Sequence, residues 1–192
     1  NFNISKNKNK ILELGPSGAS MIFTPSSFGG MQKINEVGHS VFNFYGYQYD
    51  GVYMSQKEID ADPAHYKTAR PGDGRYVDVN KNGVLDAGDR TLIGDPNPKF
   101  IWGFTNNFKY KDFDLSFLFQ GAHDNAHRSL MYHEGRNFLK EVTNRWRSEE
   151  NPGDGEHYRL SVDLGEYEKR GSSLWIDRTS YIRLKSLTFG YT

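Results

Sequence analysis

The stretch FIWGFTNNFKYKDFDLSFLFQG, residues 100–121, decides the fold. Phe100, Trp102, Phe104, Phe108 and Tyr110 share one parity, and Gly103, Thr105, Asn107 and Lys109 share the other. After Lys111-Asp112, Phe113, Leu115, Phe117 and Phe119 alternate with Asp114, Ser116 and Gln120, with Leu118 as the exception. Successive side chains of a strand point to opposite faces, so this period of two means one apolar and one polar face. Lys111-Asp112 has the length of a two-residue hairpin turn. The stretch therefore predicts two antiparallel strands joined tightly.

A third strand fits YIRLKSLTFGYT, residues 181–192. Ile182 and Leu184 share one parity, whereas Leu187, Phe189 and Tyr191 share the other. The change of phase near Lys185-Ser186 predicts a bulge, or an exit from one environment into another. The opening FNISKNKNKILEL is a fourth, weaker candidate, with Phe2 and Ile4 on one face.

Two long connections separate these strands. Residues 15–99 are broken by Gly-Pro, Asp-Pro, Arg-Pro-Gly-Asp-Gly and Asn-Pro. Residues 122–174 contain one predicted helix, NFLKEVTNRW, with Phe138, Leu139, Val142 and Trp146 on one side, ending before Asn151-Pro152-Gly153. Connections this long are uncommon in a compact domain. They are ordinary in an outer-membrane barrel, which alternates short turns with long outer loops. The expected fold class is all-β, an antiparallel transmembrane β-barrel fragment with long extracellular loops. The Lys111-Asp112 turn then lies on the periplasmic side, and residues 15–99 and 122–178 lie outside. The other reading of the same faces is a soluble antiparallel sheet covering a core.

The chain has 192 residues, with Lys+Arg and Asp+Glu both 24, so it lacks the basic surplus of a nucleic-acid binder. It has no cysteine, which excludes a disulfide scaffold and thiol chemistry. No apolar run approaches the roughly 18 residues of a membrane helix. Aromatics reach 15%, which suits a half-buried β surface. The ends, NFNISKNKNK and LTFGYT, read as cut from a longer pattern.

Three blocks carry a resemblance. Residues 38–53, GHSVFNFYGYQYDGVY, residues 71–121, beginning PGDGRYVDVNKNGVLDAGDR, and residues 180–192, SYIRLKSLTFGYT, occur in this order. Together they resemble the late-barrel region of SusC/RagA-type TonB-dependent outer-membrane transporters, over nearly the whole chain. The resemblance implies that residues 1–192 are a partial C-terminal region of such a receptor barrel, without plug or closing strands. It implies a barrel of roughly 22 strands, located in the outer membrane of a Gram-negative bacterium and surrounded by lipid. It further implies contact with TonB through an N-terminal region, a SusD-like surface lipoprotein as partner, and uptake of glycans or peptides. Four strands cannot close a barrel of that size.

Within residues 78–89, DVNKNGVLDAGD, oxygen-bearing side chains recur at calcium-loop spacing. Asp78, Asn80, Asn82, Asp86 and Asp89 supply side-chain oxygens, Val84 offers its carbonyl, and Gly83 permits the sharp turn. The expectation is a structural Ca²⁺ in a free-standing loop, because the Gly- and Pro-rich flanks cannot form a helix pair. The short Asp89 in place of glutamate predicts weak binding. The other reading is a set of Asx turns without an ion.

No enzyme is expected and no residue is assigned a catalytic role. His123, His127 and His133-Glu134 lack the H-E-x-x-H of a zinc hydrolase. Glu149, Glu150, Asp154 and Glu156 surround Asn-Pro-Gly and read as turn residues. The aromatics Phe42, Phe44, Tyr45, Tyr47, Tyr49 and Tyr53 read either as loop anchors or as a platform for sugar rings, a lid or a plug. The competing function is a secreted, calcium-stabilised carbohydrate-binding β module, which would need no detergent.

Overall fold

The computed structural model describes residues 1–23, 32–128, 140–160 and 170–192. In chain order the strands are β1 (Phe2–Ser5), β2 (Met21–Phe23), β3 (Gln32–Asn35), β4 (Asn43–Tyr47), β5 (Tyr49–Val52), β6 (Gly74–Tyr76), β7 (Arg90–Gly94) and β8 (Phe100–Tyr110). They continue as β9 (Phe113–His123), β10 (Ala126–Arg128), β11 (Ile176–Arg178) and β12 (Tyr181–Tyr191). One short helix, α1 (Gln56–Ala61), lies between β5 and β6.

The main sheet has the order β1-β8-β9-β12, antiparallel throughout. β8 and β9 match the predicted alternating runs, and Tyr110 pairs with Phe113 across the two-residue turn. Lys111 takes φ +53°, the left-handed backbone that such a turn needs. β1 is shorter than the opening run suggested. After Ser5 the apolar alternation gives way to Lys-Asn repeats, and the pairing stops. Among the described residues, these four strands leave both outer edges open, and the sheet does not close on itself.

The phase change in β12 is a bulge. Leu184 pairs with Phe119 and Ser186 with Leu118, so Lys185 is left without a partner residue. One extra residue restores the parity: Leu187, Phe189 and Tyr191 pair with Phe117, Leu115 and Phe113. Because directly opposed residues share a face, the whole apolar set of β12 stays on one side.

Residues 15–99 hold far more structure than their breakers indicated. β2, β3, β4 and β7 form a second antiparallel sheet, and β5 pairs with β6. From the second connection, β10 pairs with β11. The core lies here, above the main sheet. Phe44, Val52, Ala126, Val142, Tyr158 and Trp175 pack together, with Trp146 and Ile176 against them. Burying Phe44 and Val52 contributes roughly 1.5–3 kcal/mol each. Tyr53, Ile59 and Tyr66 form a smaller cluster beside α1.

The predicted helix NFLKEVTNRW is not a helix where it is described. Lys140–Asn144 form a 3-10 turn. Arg145 N–H donates to Val142, three residues back, and Trp146 N–H donates to the His157 carbonyl at 2.9 Å. That tertiary bond replaces the i to i−4 bond a helix would require. Val142 and Trp146 still point inward, into the core, whereas Phe138 and Leu139 lie outside the described residues.

Candidate functional site

The main sheet has two unlike faces. Register places Phe2 with Phe104, Ile4 with Trp102, Phe108 with Leu115, and Leu187 with Phe117. All belong to one side, as the rings confirm: Phe117 stands 5.9 Å from Phe104 and 5.6 Å from Phe119. Phe113 stands 4.9 Å from Tyr191. Gly121 sits opposite Trp102 on this side, and a Cβ there would meet the indole at 2.5 Å. The opposite face carries Thr105, Asn107, Ser116, Gln120, Arg183 and Thr188, with Lys109 opposite Asp114.

The apolar face has no cover among the described residues. Ile182 is 72% exposed, Tyr191 70%, Phe189 66% and Phe108 53%. A soluble monomer rarely exposes so large a contiguous apolar surface. β8, β9 and β12 each have 11 residues. At about 3.4 Å per residue they are ~37 Å long, and a tilt near 45° projects that to ~26 Å, the height of a barrel's apolar band.

The two long connections interlock into one cap at the end of the sheet opposite the Lys111-Asp112 turn. Tyr47 N–H donates to the Gly171 carbonyl at 3.0 Å, Val52 N–H to Gly155 at 3.1 Å, and Arg159 N–H to Gly72 at 2.8 Å. Tyr49 donates its N–H to Ser173 Oγ at 2.9 Å and its hydroxyl to the Glu156 carbonyl at 2.7 Å. The backbones approach closely at Gly46, where a Cβ would collide with the Gly171 carbonyl. The aromatic row thus acts chiefly as an anchor: Phe44, Tyr47 and Tyr53 are buried, Tyr45 and Tyr49 are half-buried, and Phe42 alone is exposed. Burial, with the hydrogen bond its hydroxyl gives Asp62 at 2.5 Å, raises the Tyr53 pKa well above its usual value.

The sequence-predicted metal ligands lie in one loop held by side-chain-to-backbone hydrogen bonds. Asp89, fully buried, accepts from Val79 N–H at 3.0 Å and Asp86 N–H at 2.8 Å. Asp78 accepts from Gly83 N–H at 2.7 Å and Asn82 N–H at 3.3 Å. Asn80 accepts from Asn82 N–H, and Asn82 from Val84 N–H. Asp86 turns aside to cap Ala87–Asp89, accepting from Gly88 N–H at 2.6 Å. For Asp78, burial opposes ionisation, but the N–H groups of Gly83, Lys81 and Asn82 and a side-chain contact with Asp89 outweigh it, holding the carboxyl below its ordinary pKa. Among the described residues no three His, Asp or Glu side chains gather as a metal site. The donors are all hard oxygens, the ligand type calcium takes, and a carboxylate has lone pairs beyond those its N–H partners use.

The other singled-out groups are structural. His123 ends β9 and stacks on Phe100 at 4.8 Å, whereas His127 lies in β10, so no helix face unites them. His133 and Glu134 lie outside the described residues. Asp154 is held by His157 Nδ1 at 2.6 Å and accepts two backbone N–H bonds. The pair Asp73–Arg159, at 2.6 Å, was not foreseen. It joins residues far apart in sequence, and no local signal marks it.

No family model matches the chain. Over 99% of its length it is 32% identical to a TonB-dependent receptor of Formosa agariphila, of which it covers 19%. It is 24% identical, over its whole length, to the TonB-dependent receptor SusC of Bacteroides thetaiotaomicron, covering 18% of that protein. A solved structure described as the RagAB peptide importer in the "open-open" state superposes with a TM-score of 0.67 at 19% identity, across 99% of this chain and 19% of that one. The chain thus spans about a fifth of the length of the relatives it matches.

Proposed function

The chain is homologous to SusC/RagA-type TonB-dependent receptors over nearly its whole length, and on that premise we propose that it forms part of the barrel wall of an outer-membrane importer. The observation that carries this reading is the uncovered apolar face on strands long enough to cross the bilayer. That face meets lipid, the polar face lines the lumen, and the interlocked cap lies outside the cell. The substrate is a glycan or a peptide, and a SusD-like lipoprotein closes over the cap. TonB supplies energy through a segment outside this chain. The relatives are named as receptors, and no catalytic role is assigned to any residue here.

A calcium ion held by Asp78, Asn80, Asn82, the Val84 carbonyl, Asp86 and Asp89 stabilises the loop that leads into β7 and β8. The alternative of a secreted carbohydrate-binding module is disfavoured by the same uncovered face. Fractionation tests the assignment. The full-length protein carrying this sequence is expected in the outer membrane and extractable only with detergent. Its release by an alkaline wash would place it outside the bilayer.

A further inference from the structure

Where β1 leaves the main sheet, the sequence continues K-N-K-N-K, residues 6–10. Lys6, Lys8 and Lys10 continue the parity of Phe2 and Ile4, the β1 residues of the apolar face. All three are exposed, and none makes an ion pair with a described residue. The segment is nonetheless fixed. Asn9 Oδ1 accepts from Val41 N–H at 2.9 Å, and Ile11 and Gly38 exchange bonds with His39 and Ile11 carbonyls at 2.9 Å.

These lysines line a groove of about 680 Å³ that reaches Phe100 and His123, the last register pair at the cap end of β8 and β9. The groove's one carboxylate among the described residues, Asp95, is held by Ser40 Oγ at 2.7 Å and Asn97 N–H at 2.9 Å. Lys99, also in the groove, is paired with Asp124. Three lysines without a carboxylate partner among the described residues therefore share a groove that borders the Phe100–His123 end of the apolar face.

We propose that Lys6, Lys8 and Lys10 receive the phosphate of a phosphorylated lipid whose acyl chains lie along the apolar face. The match is of charge and of layering. Long cationic side chains at the edge of an apolar surface keep their heads in the polar layer, and each lysine near an anionic lipid surface strengthens binding about fivefold. This inference rests on the membrane assignment proposed above.

The full-length protein, in nanodiscs, is tested with monophosphorylated lipid A and with the same lipid dephosphorylated. Native protein is expected to retain the phosphorylated form preferentially, and K6Q/K8Q/K10Q to lose on the order of a hundredfold of that preference. Lys109→Gln, at the other end of the sheet, should leave it unchanged. High salt should erase it. Equal retention by the triple variant overturns the proposal. So does competition by inorganic phosphate alone at the lipid's concentration, which would mark a free-phosphate site, and so does a triple variant that loses an acidic peptide rather than the lipid. Protein that inserts normally but shows no phosphate preference refutes this inference alone. Protein that fails to insert at all refutes the membrane assignment with it.

Discussion

Arg159 Nε donates to the carboxylate of Asp73 at 2.6 Å, tying the second long connection to the first. The Asp73 side chain is only 5% exposed, and its other oxygen accepts from Arg70 N–H at 2.9 Å. Arg159→Ala would leave that carboxylate buried and half-satisfied. Breaking such a pair costs about 3 kcal/mol where one partner is partly exposed. The expected result is faster hydrogen exchange at Val52 and Arg159 region amides, with the β8–β9 hairpin unaffected. Asp73→Asn, which keeps an acceptor, should cost less.

The bulge in β12 predicts an asymmetry. Deleting Lys185 would remove the extra residue and leave Leu184 and Leu187 on one face of a regular strand, whereas inserting one alanine after Lys185 would turn Leu187, Phe189 and Tyr191, or else Ile182 and Leu184, to the polar face. The insertion should keep the full-length protein from reaching its heat-modifiable, barrel form on a gel, and the deletion should not. Lys185→Ala keeps the residue count and should assemble normally.

The main sheet was legible in the sequence because period-two alternation is a local signal, and the register of Phe100–Tyr110 with Phe113–His123 follows from the turn alone. The phase change at Lys185 was legible too, though not which of two causes produced it. The cap was not. β4 and β5 are short, and Trp146, Tyr158 and Trp175 meet Phe44 and Val52 only through tertiary contacts. The helical pattern around Val142 reflected a buried face, but Arg145 N–H bonds the Val142 carbonyl in 3-10 fashion and Trp146 N–H turns to the His157 carbonyl instead. In the acidic loop the spacing announced a shared centre, and the structure shows the same oxygens held by backbone N–H groups.

Calcium should tighten that loop. We expect binding on the order of 10⁻⁴–10⁻³ M, read by terbium luminescence or by slowed proteolysis near Gly83. Asp89→Ala should abolish the effect and, because Asp89 gathers Val79, Asn80 and Asp86 N–H groups, also loosen the loop without calcium. Identical protection of the native loop with calcium and with chelator would leave the turns alone as its support.

Acid should open the same loop. The Asp78 pKa is lowered in the folded state. Its contribution is therefore present above the ordinary aspartate value of about 3.9 and is lost as pH falls through the lower folded value. In calcium-free buffer, amide protection at Gly83 should persist at pH 5 and disappear only below about 3.9. Asp78→Asn should show no such transition.

On the proposed membrane assignment, the Phe117 face meets lipid and the Ser116 face does not. An arginine on a lipid face costs about 2–4 kcal/mol near mid-membrane. Assembly of full-length Phe117→Arg and Ser116→Arg, measured side by side as the heat-modifiable fraction in outer membranes, tests this directly. Phe117→Arg is expected to lose most of that fraction while Ser116→Arg keeps it. Equal fractions, or a greater loss for Ser116→Arg, would contradict the assignment.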